Sequence, residues 1–389
     1  MLLAFLRSSP ERLRGALFGV VLTSLGASAC GTSGTVAPTG ASSTSAGGAS
    51  SSVSSSSSAA SVASTATSGP GGGGSGGAGG GPLTVSGCFA DDFVKPPSFG
   101  PNYDQFSPIV GSHCQGTNHQ DITGVERVVF LGDSVTVGTP PTFSEDFYRA
   151  KLADALAAKF KLAPANLVWK SANLFDGTAI VKESGDFASC SKWGARTDDL
   201  LPKQLPDCFG ASTLSKKTLV VMTMGGNDIH ALTKKAIANG TDEELWQLTK
   251  DFVKRQREAL DWLQAPGRFP QGVYVVFANM YEFTDGTGKV ESCNVSGLAG
   301  FDKPVPAPAK LAEMVVWANE QFIKMAVETK TDVIFLLETF CGHGFQANNP
   351  DGPCYRGPGS EVWFDLTCIH PTPKGHAKIS ELFYSVIDE

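Results

Sequence analysis

Five stretches of the chain are nearly unbroken apolar runs rich in β-forming residues: RVVFLG (127–132), NLVWKSA (166–172), TLVVMTMGG (218–226), GVYVVFANM (272–280) and DVIFLLET (332–339). A strand with one wet face alternates apolar and polar residues, so a run that is apolar throughout needs cover on both faces. The segments between the runs carry helical spacing instead. FSEDFYRAKLADALAAKF (143–160) repeats Phe147, Leu152, Leu156 and Phe160 at that spacing, and KLAEMVVWANEQFIKMAVET (310–329) is a second such segment. Thr241-Asp242-Glu243-Glu244 has the capping-box pattern ahead of Leu245, Leu248, Phe252, Leu260 and Leu263. Buried strands alternating with helices predict an α/β fold, doubly wound in three layers (α/β/α) around a mostly parallel sheet. In such sheets sites lie at the carboxyl ends of the strands, where the polar motifs of this chain fall.

This patterning does not extend to the N-terminal region. Arg7, Arg12 and Arg14 precede the apolar ALFGVVLTSLGASAC, too short to span a bilayer stably and long enough for a secretory signal. Ala27-Ser28-Ala29-Cys30 closes it and resembles the site at which bacterial lipoproteins are cleaved and lipidated on the new N-terminal cysteine. Ordinary secretion is the alternative. From Gly31 to Pro82 the chain is Ser, Gly, Ala and Thr with a little Val and Pro, without a charge or an aromatic ring. Such a segment cannot bury enough apolar surface to offset chain entropy, which predicts a disordered tether with a reach of roughly 40 Å. The expected organisation is a signal peptide over 1–29, a tether over 30–82 and one folded domain over 83–389, exported and held to the cell envelope through Cys30, or secreted.

The net charge of −7 comes without a basic run, which argues against a nucleic-acid partner. With Cys30 set aside, eight of the nine cysteines remain: Cys88, Cys114, Cys190, Cys208, Cys293, Cys341, Cys354 and Cys368. An even number behind an export signal predicts up to four disulfides, with a pairing the sequence does not reveal. No C-x-x-C pair occurs, and Cys341-Gly342-His343 has no second Cys/His pair close to it in the sequence to complete a zinc site, so no structural metal is expected.

Gly, Asp and Ser are all common turn formers, but the Gly132-Asp133-Ser134 at the end of the first run has distant company. TMGGND (223–228) ends another buried run, with Asn227 offering an amide donor. SKWGARTDDL places Gly194 where a bare backbone N–H is accessible, and FDLTCIHPTPKGHAKISELF puts His370 in a loop ahead of the last helix. Together these blocks resemble, in the expected order, the SGNH (GDSL) hydrolase family, over roughly residues 126–389. The resemblance implies a flavodoxin-like α/β/α fold and a serine esterase that needs no cofactor. It assigns Ser134 as nucleophile, His370 as general base, and the N–H groups of Ser134 and Gly194 with the Asn227 side chain as oxyanion donors. Asp133 is expected to brace the turn and His376 to be structural.

One position departs from the family. An aspartate commonly stands three residues before the histidine, and here it is Thr367; the nearest acid is Asp365. Asp365, a backbone carbonyl or Thr367 must then orient His370, and our expectation leans to Asp365. An imidazole of ordinary pKa would give the pH profile a limb near about 6.5. His230 could line the cleft or simply begin a helix, while His113 and His119 have no assignable role. The expected substrate is a carboxylic ester: a lipid, a small ester or an acylated polysaccharide. An O-acyltransferase on the same scaffold and a non-catalytic carbohydrate-binding surface protein are the alternatives. The long loops 173–217, 281–308 and 340–364 are expected to set substrate choice.

Overall fold

The computed structural model describes residues 83–96 and 100–389. The expected signal segment, Cys30 and the tether lie outside them. A six-stranded sheet is formed by β1 (Arg127–Gly132), β2 (Glu183–Ser184), β3 (Phe187–Ser189), β4 (Thr218–Thr223), β5 (Val273–Ala278) and β6 (Asp332–Ile334), in the order β2-β3-β1-β4-β5-β6. All neighbours pair in parallel except β2 with β3. Every residue of β1 and β4 is buried, as their unbroken apolar sequences require.

The pleat divides these side chains between two cores. Val128 and Phe130 of β1 with Leu219 and Val221 of β4 meet Tyr148, Leu152 and Phe383 on one face. Val129, Leu131, Val220 and Met222 meet Phe252, Leu260, Phe322 and Ile323 on the other. The first layer is built by α2 (Tyr148–Phe160) and α6 (Pro373–Asp388), the second by α4 (Asp242–Leu263) and α5 (Pro308–Thr329). Thr241 caps α4 with both bonds of the predicted capping box. Two short elements carry site residues: α1 (Ser134–Val137) follows β1 directly, and α3 (Gly226–Ile237) follows β4 after a turn at Gly225.

One expected strand is not formed. Residues 166–172 make a helical turn, Leu167–Lys170, capped by Asn166, whose side chain accepts from Trp169 N at 2.9 Å. Ala172–Asn173 then pairs with Thr178–Ala179 in a separate small hairpin. Only Trp169 of this run is buried; Leu167 is 76% exposed, so the run lacks the two-sided cover that its composition suggests. The sheet position beside β1 goes to β3. The run 332–339 likewise stops as a strand at Ile334 and turns into the helical segment Leu336–Phe340.

The N-terminal lead-in covers the β6 edge: Thr117 N donates to Val333 O and Phe335 N to Gln115 O. His119 contributes there, its Nδ1 lying 2.7 Å from Thr331 O. Four disulfides close the domain: Cys88–Cys114, Cys190–Cys208, Cys293–Cys368 and Cys341–Cys354.

Candidate active site

The end of β1 is shaped for a sharp turn. Gly132 has φ +142, and a Cβ there would lie 2.3 Å from Thr223 O, so strand pairing and backbone angle both demand glycine. Gln204 clamps the same residue, accepting from Gly132 N and donating to Gly132 O, each at 2.8 Å. Asp133 then caps α1, accepting from Val135 N at 3.0 Å. Ser134 is thereby the first helical residue, whose N–H has no partner within the turn. Burial pushes the Asp133 carboxyl up to about 7, and the nearby Asp228 charge adds to the rise. That is a bracing residue's environment, as the sequence suggests.

His370 comes from a loop closed on itself: Asp365 N donates to His370 O, and Cys368 N to Asp365 O. The disulfide to Cys293 and the bond from Tyr281 Oη to Ile369 O, at 2.9 Å, hold that loop from outside. The result places His370 Nε2 2.9 Å from Ser134 Oγ, across 236 residues of sequence. Burial pushes the His370 imidazole down to about 4, well below the ordinary value expected from the sequence.

The other side of the imidazole differs from the expectation that leaned to Asp365. Thr367 Oγ1, not the Asp365 carboxylate, lies 2.7 Å from His370 Nδ1. Asp365 stands one hydrogen bond further out, where its Oδ1 accepts from Thr367 Oγ1 at 2.5 Å and from Thr367 N at 2.8 Å. The cause is local. An aspartate readily binds the backbone N–H two residues ahead, and that turn draws the carboxylate onto Thr367.

The oxyanion candidates come from two further segments. Residues after β3 continue alongside β1: Cys190 N donates to Phe130 O at 3.0 Å and Lys192 N to Gly132 O at 3.1 Å. This leads the chain on to Gly194, five residues after β3. Gly194 has φ +73, its position faces open space, and its N–H has no hydrogen-bond partner among the described residues. Asn227, in the first turn of α3, donates one amide hydrogen to Ala195 O at 3.0 Å, which leaves the other available. Asp228 ties the two segments together by accepting from Thr197 N and Thr197 Oγ1, each at 3.0 Å.

Ser134, Asn227 and His370 all line one cavity of about 120 Å³; Gly194 is not in its wall. Much of the lining is apolar, with Met280, Phe283, Val290, Phe301, Leu311 and Ile369, and Glu282, Thr284 and Asn279 add polar groups to it. His230 lines it too, and its Nε2 lies 2.8 Å from Ala299 O, so it also holds the loop 281–308. His376 is buried behind the site, where its Nδ1 accepts from Tyr148 N at 3.3 Å, a structural place.

A hydroxyl within hydrogen-bond reach of a largely neutral imidazole, with unengaged N–H donors nearby, can add to a carbonyl carbon and hold the resulting oxyanion. The profile of the GDSL-like lipase/acylhydrolase family matches residues 130–378, a span holding every block of this site. The chain belongs to that family. This GDSL-like protein is accordingly a carboxylic ester hydrolase, on a six-stranded α/β scaffold. A comparison with curated protein sequences gives no match. Among solved structures it is similar to the extracellular lipase of Streptomyces rimosus, at 19% identity and a TM-score of 0.40, covering 67% of this chain and 100% of that one. A lipase from a goat rumen metagenome shares 14% identity, with a TM-score of 0.45 and coverage of 67% and 97%.

Proposed function

We propose that the protein hydrolyses carboxylic esters with an apolar acyl group through an acyl-enzyme on Ser134. His370 takes the hydroxyl proton as Ser134 attacks the ester carbonyl. The N–H groups of Ser134 and Gly194 and the Asn227 amide stabilise the oxyanion, and His370 returns the proton to the leaving alcohol. Water then repeats the sequence on the acyl-enzyme. The observation that carries this reading is the 2.9 Å contact of His370 Nε2 with Ser134 Oγ in the wall of a cavity much of whose lining is apolar. The apolar side chains of the wall gain free energy by burying an alkyl group.

The test is hydrolysis of a graded series of p-nitrophenyl acyl esters by the full chain beside Ser134→Ala. We expect kcat/KM to rise from acetyl to longer acyl groups, and Ser134→Ala to lower kcat on the order of 10⁴ to 10⁶-fold. A variant keeping more than a tenth of the activity defeats the serine mechanism, and a preference for acetyl defeats the acyl assignment.

We also propose export, with the domain 83–389 carried on the 30–82 tether and anchored by lipid on Cys30. The Arg7–Cys30 pattern supports this, as do four disulfides, which persist in oxidising compartments. Labelling with a fatty-acid probe should be lost in Cys30→Ala.

A further inference from the structure

The contacts behind His370 carry more than an orientation. We propose that Thr367 is a positioning residue whose hydroxyl relays the Asp365 carboxylate to His370 Nδ1, in the place where a triad would put the acid itself. This deepens the esterase reading and rests on it.

The direction of each hydrogen bond follows from the atoms available. Burial raises the Asp365 carboxyl and its two bonds from Thr367 work the other way; once ionised it only accepts, and a hydroxyl has one proton to give. Asp365 Oδ1 lies 2.5 Å from Thr367 Oγ1 and also takes Thr367 N at 2.8 Å, so the hydroxyl proton points to Asp365. The remaining lone pairs of Thr367 Oγ1 then face His370 Nδ1 at 2.7 Å and can only accept. Nδ1 must carry the proton. Nε2 is therefore the unprotonated nitrogen, and it is the one 2.9 Å from Ser134 Oγ, as a general base requires. Reversing either bond would place the imidazole proton on Nε2, where it could not take another from serine. Asp365 thus selects the tautomer without touching the ring. Its other oxygen, Oδ2, is buried without a partner among the described residues, so the carboxylate has no second protein ligand to draw it off Thr367.

The test uses the full chain and three substitutions: Thr367→Val, which keeps the shape and removes the hydroxyl, Thr367→Ser, which restores it, and Asp365→Ala. In Asp365→Ala the hydroxyl loses its acceptor and can donate to Nδ1, which favours the wrong tautomer. We expect Thr367→Val and Asp365→Ala each to lower kcat on the order of 10³-fold with KM little changed, Thr367→Ser to recover activity to within about tenfold of the parent, and the double variant to be no worse than either single one. A purely structural role would instead lower the melting temperature and leave the losses multiplicative. Retention of more than a tenth of kcat by Thr367→Val overturns the relay, as do multiplying losses.

A second readout is independent of activity. The ¹⁵N shifts of His370 in the parent protein should report the Nδ1–H tautomer, and Thr367→Val should disturb it; an Nε2–H tautomer in the parent overturns the proposal. If the parent hydrolyses no ester, the esterase reading fails while these shifts still decide the relay. If parent activity depends on Ser134 and Thr367→Val matches the parent, the relay alone fails.

Discussion

Burial sets the working range of His370. Its imidazole is pushed down to about 4, so it stays neutral, and able to accept a proton, through mildly acidic pH. The sign is that of any general base: activity is lost as pH falls through the pKa and the ring takes up a proton before serine can offer one. The limb of kcat/KM that His370 sets should therefore reach half its plateau at about pH 4, rather than near the ordinary value of about 6.5, and any limb at about pH 7 belongs to the buried Asp133. A limb at 6.5 that persists in Asp133→Asn, measured in the free enzyme with a neutral substrate, would mean that the ring is more hydrated than its surroundings indicate. Ser134, Asn227 and His370 were legible in the sequence because each sits in a short block with its own turn chemistry, and the blocks follow the order of a known family. The low pKa and the Thr367 contact were not, since both depend on how the 365–370 loop closes. The signal that could have pointed to Thr367 was its place at the family's acid position, with an aspartate two residues before it.

At the scale of elements, alternation of buried runs with helical segments was enough to give the layers, and it misplaced one strand. NLVWKSA has strand composition, but Asn166 caps a helical turn and only Trp169 finds cover. What that turn does is visible only in three dimensions. Trp169 O and Lys170 O accept from the fully buried Arg149 of α2, at 2.6 and 3.2 Å, and the guanidinium lies 4.3 Å from the Trp169 ring centroid. Arg149 also donates to Thr136 O and Val137 O, carbonyls at the end of α1 that such a short helix leaves open. One side chain thus joins the helical turn 167–170 to the turn that carries Ser134. Sequence periodicity shows an arginine in an amphipathic helix and gives no reason to bury it. Arg149→Met should cost about 3 kcal/mol or more of unfolding free energy, because it strands several buried carbonyls, and should lower kcat by loosening α1. Denaturant unfolding beside Ala158→Ser, at an exposed position of the same helix, checks this. A loss below about 1 kcal/mol for Arg149→Met would show that these carbonyls find other partners.

For the whole molecule, the loops that the sequence left unfolded prove to be the stapled ones. Cys190–Cys208 lies within 173–217 and Cys341–Cys354 spans the start of 340–364, while Cys293 in 281–308 reaches Cys368 beside His370. The even cysteine count was readable and the pairing was not, because partners as far apart as 75 residues meet only once the sheet is built. This last bridge joins the loop 281–308, part of which lines the cavity, to the loop that carries His370, so it should serve both stability and rate. Closing a loop of 75 residues is worth about 4.5 kcal/mol in the chain-entropy account, against about 3 kcal/mol for the 13 residues of Cys341–Cys354. The longer loop is thus worth about 1.5 kcal/mol more, and the two bridges also differ in what they hold. Replacing Cys293 and Cys368 by Ser should lower kcat on the order of 10 to 10²-fold at temperatures where the variant remains folded, since a shift of about 1 Å in His370 is enough to do so. Replacing Cys341 and Cys354 should lower the melting temperature somewhat less and leave kcat within about threefold of the parent, because that bridge does not touch the 365–370 loop. Melting curves and kcat for both pairs decide the matter. Equal losses of kcat would mean that the His370 loop is held by its own hydrogen bonds and by Tyr281, and that the bridge to Cys293 contributes stability alone.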